Sequence, residues 1–87
     1  MHEQSLMNDL MAKIEALVKE NNAKRAVSVD VWLGALCHMS PDHFTEHYEE
    51  SSPGTMAEGA KLNITLSEDI NDPNAQQILL RNIEVED

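Results

Sequence analysis

Cysteine is almost missing from this chain: Cys37 is the single one in 87 residues. That excludes an internal disulfide and any metal module made from cysteine pairs. Aromatic residues are as scarce, at 3%, with Trp32, Phe44 and Tyr48 the full set. Such a short chain buries only roughly 60–65% of its unfolded surface, enough for one core and not for two. Basic residues number six against sixteen acidic ones, a formal charge of -10. A surface of that sign repels phosphate backbones and anionic lipid and concentrates cations, so neither nucleic acid nor membrane is expected as a partner. The longest nearly apolar run, VWLGALC, is far too short to span a bilayer. No basic-then-apolar leader marks the polar first twenty residues, and a cytoplasmic location is expected. There is no phosphate-cradling glycine loop and no serine or cysteine nucleophile with an evident base, so an enzyme is not expected.

What is present is regular patterning. Leu6, Met7, Leu10, Met11, Ile14, Leu17 and Val18 recur at helical spacing, with Asn8, Asp9, Lys13, Glu15, Lys19 and Glu20 between them. This predicts an amphipathic helix over about 4–21. Asn21 and Asn22 are its stop, because asparagine tolerates the left-handed conformation that ends helices. In AVSVDVWLG, Val27, Val29, Val31 and Leu33 alternate with Ala26, Ser28, Asp30 and Trp32. That is the period of a strand with the valines on its buried face. Trp32 then lies on the opposite face, against a loop or at a partner surface. In MSPDHF, Ser40 can cap a second helix, Pro41 suits its first position and Met39 can staple against Phe44. This helix is expected to run to about Ser51, where Pro53 and Gly54 break it, and Thr55 to Glu58 can form one further turn. Leu62, Ile64 and Leu66 alternate in a second strand. In the last strand Ile78 and Leu80 alternate, while Ile83 and Val85 resume one residue out of phase, which predicts a bulge near Arg81 and Asn82.

The resulting order is helix-strand-helix-strand-strand. A strand-helix-strand crossover favours a parallel first pair, and the last strand is then antiparallel. The expected fold is α/β (α+β), with two helices packed on a small three-stranded mixed sheet. Residues 1–87 form one domain, and SEDINDPNAQQ, at about 67–77, is a connection with a turn at Asp72-Pro73.

Two stretches carry metal chemistry. The amine of Met1, the amide nitrogen and imidazole of His2, and the next amide at Glu3 can close successive chelate rings around one ion. The bland alternative is a frayed terminus with His2 as a surface residue and Glu3 stabilising the helix start. In CHMSPDHFTEH, His43 and His47 are four apart on the second helix, a spacing that lets both imidazoles reach one ion. Cys37 and His38 lie nearby in sequence. Ordinary surface or interface roles for these histidines, and the role of a small buried residue for Cys37, are the alternatives.

MHEQSL at the start, LGAL and SPDHFTEHYEE in the middle, GTMAEGA before the second strand and IEVE at the end together resemble the HypA/HybF family of nickel metallochaperones for hydrogenase and urease maturation. The resemblance implies a domain that binds Ni(II) on Met1, His2 and Glu3; His43 and His47, read from their spacing alone, are candidates for an additional ligand or a separate site. The resemblance also implies delivery to a nickel-enzyme precursor, with a GTPase nickel metallochaperone as partner, and admits a homodimer. Typical members of the family insert a zinc module with two CxxC pairs between the second and last strands. Here the cysteine-free connection stands in that place, so no structural zinc is expected. An adaptor that docks a maturation partner without loading metal is the alternative function.

Overall fold

The computed structural model describes residues 3–87, with the side chains described from residue 4 onward. Helix α1 spans Glu3–Glu20, strand β1 Arg25–Leu33, helix α2 Pro41–Ser51, strand β2 Lys61–Leu66 and strand β3 Ile78–Glu86. The expected element order holds. So does the pairing: β1 lies at the centre, parallel to β2 and antiparallel to β3, in the order β2-β1-β3.

The apolar stripe of α1 is its buried face. Met7, Ile14 and Val18 are fully buried, and Leu10 and Met11 nearly so, each worth roughly 1.5–3 kcal/mol relative to exposure. They share one core with Ala26, Val29, Val31, Leu33, Met39, Phe44, Tyr48 and Ala57. The helix stops as the asparagines predict. Asn22 has φ 54, its N–H reaches the Lys19 carbonyl at 3.0 Å and the Ala23 N–H reaches that of Val18 at 3.0 Å. These two bonds satisfy carbonyls that the helix end leaves open.

The β1–β3 pairing shifts at two places. One is in β3, where Asp30 faces Asn82, Val31 faces Leu80 and Arg81 is the extra residue. This is the expected bulge. The second, in β1, was not foreseen: Ala26 faces Val85 and Ser28 faces Glu84, leaving Val27 extra. It corrects the expected run of buried valines. Val27 is 38% exposed while Ala26 is fully buried, because an inserted residue reverses the phase of the strand before it. Leu66, at the end of β2, is also half exposed. Trp32 is buried yet stands outside the main core, with the Arg81 guanidinium 5.2 Å from its ring centroid. The bulge residue thus lays a cation over the indole face.

The connection between β2 and β3 folds back on itself. Asp69 Oδ1 accepts from the Asn71 N–H at 2.9 Å and Asp72 Oδ1 from the Asn74 N–H at 2.7 Å, the side-chain-to-backbone bonds that short acidic residues make in turns. Its ends are tied to the sheet: the Ser67 N–H donates to the Leu33 carbonyl, and the Gly34 and Leu36 N–H groups donate to the Gln77 and Ala75 carbonyls.

Helix direction follows from these contacts. The short link after α1 leads straight into β1, and Leu6 and Leu10 line a groove of about 370 Å³ with Ile78 and Leu80, which pair with Leu33 and Val31. Helix α1 therefore runs antiparallel to β1. Helix α2 joins β1 to the parallel β2 and does the same. Both helices start at the carboxyl end of β1.

Candidate metal centre

Of the predicted ligands, Met1 and His2 lie outside the described residues, and Glu3 enters as the first residue of α1. The first turn of α1 opens at the end of the sheet where α2 also begins, which is the end where His43 is found.

Local chemistry fixes the start of α2. Ser40 is the N-cap, with φ -75 and ψ 159, and its Oγ accepts from the His43 N–H at 3.1 Å. Pro41 takes the first helical position, where its missing N–H costs nothing, and the Thr45 hydroxyl donates to the Pro41 carbonyl at 2.8 Å. Met39 is buried and joins the core that Phe44 occupies, as a hydrophobic staple requires. The helix is thereby oriented. Phe44 and Tyr48 enter the core, with ring centroids 6.4 Å apart, and the residues just before each of them, His43 and His47, come to the surface.

His43 is exposed and His47 half-buried. Their Nε2 atoms are 3.0 Å apart, with ring centroids at 4.7 Å and planes inclined by 55°. The spacing read from sequence has become a hydrogen bond between the two imidazoles, one ring donating its Nε2–H to the Nε2 of the other. Asp42, Glu46, Glu49 and Glu50 crowd the same helix, so the pair sits in a local field that favours a cation.

Cys37 and His38 do not join them. His38 has φ 62 in an exposed turn, and the Cys37 thiol donates to the Met39 carbonyl at 3.4 Å. Among the described residues no three His, Cys, Asp or Glu side chains are grouped to hold a metal ion. They supply a two-nitrogen pair and not a complete cage. One feature carried no sequence signal: the Tyr48 hydroxyl is buried with no hydrogen-bond partner among the described residues, and desolvation raises its pKa above the ordinary value of 10.0.

Comparison with known proteins bears on this end of the molecule. A family model described as "Hydrogenase/urease nickel incorporation, metallochaperone, hypA" matches residues 1–71. The hydrogenase maturation factor HypA of Rhizobium leguminosarum bv. viciae is 38% identical over 64 residues, which cover 74% of this chain and 57% of that protein. Its counterpart in Archaeoglobus fulgidus is 35% identical over 66 residues, 76% of this chain and 60% of that one. The chain thus spans less than two thirds of the length of these relatives. In three dimensions, the solution structure of the Ni metallochaperone HypA from Helicobacter pylori superposes with a TM-score of 0.82 at 19% identity, covering 99% of this chain and 98% of that one. At that identity the likeness is one of fold.

Proposed function

This chain belongs to the HypA family, and on that premise we propose that it is a nickel-carrying accessory protein. It holds one Ni(II) as cargo at Met1, His2 and Glu3 and passes it to the precursor of a nickel enzyme such as a [NiFe]-hydrogenase or a urease, with a GTPase nickel metallochaperone as partner. It works in the cytoplasm and is no enzyme itself. No helix of the described residues is long and apolar enough to cross a membrane.

The observation that carries the proposal is the family match, which takes in the Met-His-Glu terminus and runs to residue 71. The chemistry of that terminus agrees. The Met1 amine, the His2 amide nitrogen and the His2 imidazole, linked through one five-membered and one six-membered ring, can occupy three positions of one plane, the arrangement that Ni(II) accepts from nitrogen donors. Backbone amides bind only after losing their protons, so affinity rises with pH. Helix α1 begins at Glu3 and gives the chelating segment a rigid base.

Residues 1–87 act, in this proposal, as a single nickel-binding domain, and the turns of 67–77 take the place of a zinc module. That segment has no cysteine or histidine, and its Asp69 and Asp72 carboxylates are engaged with their own backbone. It offers no zinc-type donor set.

A short histidine-free Gly-Ser extension before Met1 tests the site. It turns the α-amine into an amide and crowds a centre that takes four in-plane donors. Nickel affinity should fall clearly below that of the native terminus at equal pH and salt. Equal affinities would remove the α-amine from the site, and no binding by either form would favour an adaptor that docks a partner without metal.

A further inference from the structure

The His43–His47 pair offers metal-binding nitrogens on α2 in addition to those of the chain terminus. The two Nε2 atoms, 3.0 Å apart, subtend about 90° at an ion placed about 2.1 Å from each, the usual imidazole–metal distance for divalent first-row ions. A right angle is the spacing of neighbouring positions in octahedral and square-planar centres. A tetrahedral centre at the same bond length needs nitrogens about 3.4 Å apart. The pair can therefore span two neighbouring positions around one divalent first-row ion, which would replace the shared proton.

We propose that His43 and His47 form a second site for Ni(II), with two imidazole nitrogens in neighbouring positions. The identity of the ion rests on reading the chain as a nickel carrier; the site itself rests on the geometry of α2. That geometry is already built. The Ser40 cap and the burial of Phe44 and Tyr48 fix the helix that holds both rings. The acidic side chains of α2 raise the local cation concentration. Helices α1 and α2 also start at the same end of the sheet.

The test uses the full chain, untagged, with Ni(II) alone as probe. In water-completed octahedral geometry the ion is paramagnetic, whereas in a square plane of nitrogen donors it is diamagnetic. Titration of His2→Ala, which removes the terminal chelate, should broaden and shift the His43 and His47 ring resonances. His47→Gln should abolish that effect and weaken this binding event at least tenfold. His43→Gln should do the same, and circular dichroism should be unchanged in both because these side chains lie outside the core. Unperturbed ring resonances in His2→Ala on nickel addition, or the same binding in the His43→Gln/His47→Gln double variant, would overturn the proposal. Failure of the terminal site is read separately, as nickel binding by the native chain that is insensitive to His2→Ala.

Discussion

Gly34 and Ala75 touch backbone to backbone where the β2–β3 connection crosses the end of β1. A Cβ at Gly34 would overlap the Ala75 carbonyl and lie 2.7 Å from the Asn74 oxygen. Ala75 is itself almost fully buried, and its carbonyl accepts from the Leu36 N–H at 2.7 Å. The connection is seated there by contact, and glycine is required at 34 for the closeness of the approach.

Gly34→Ala should therefore destabilise the fold by about 1–3 kcal/mol, the usual cost of forcing extra volume into a packed site. Urea unfolding would show a lowered midpoint. A variant as stable as the parent would mean that 67–77 does not rest against β1.

Much of this architecture is legible in the residues. Asn22, Ser40 with Pro41, and the phase slip between Leu80 and Ile83 each announce a specific backbone event, and each event is found. The bulge at Val27 left no trace because Ala26 and Val27 are both apolar, and either can fill a buried position without breaking the alternation. The burial of Trp32 depends on Arg81 and the neighbouring fold, which alternation along one strand does not encode. At the candidate site the four-residue spacing of His43 and His47 is visible in the sequence. Their 3.0 Å nitrogen approach is set by side-chain rotamers and is not.

The Tyr48 hydroxyl gives a second prediction. It is buried without a partner among the described residues, so Tyr48→Phe removes an unsatisfied polar group and should leave stability at neutral pH unchanged or raised by up to about 1 kcal/mol. The pH dependence has a definite sign. Burial raises the folded pKa above 10.0, so the unfolded chain gives up this proton first. The contribution of the protonated phenol is complete below pH 10 and is lost as pH rises through the folded pKa. Tyr48 is the sole tyrosine, so tyrosinate absorbance reports it directly. Its titration at the ordinary value in the native protein would contradict the burial, and Tyr48→Phe should lack this part of the alkaline destabilisation.

Chelation gives a third. The core is formed by aliphatic and aromatic side chains from both helices and β1, and 67–77 contains no cysteine or histidine. The circular dichroism and unfolding midpoint of the purified chain should be the same with and without EDTA. Unfolding in EDTA would reveal a structural metal.

The most direct measurement is nickel calorimetry on the untagged chain and its His2→Ala variant, side by side at neutral pH. The native chain should show one tight Ni(II) per molecule, and the variant should lose that event, keeping at most the weaker one assigned to His43 and His47. Tight, stoichiometric binding unchanged by His2→Ala would contradict a nickel site at the chain terminus.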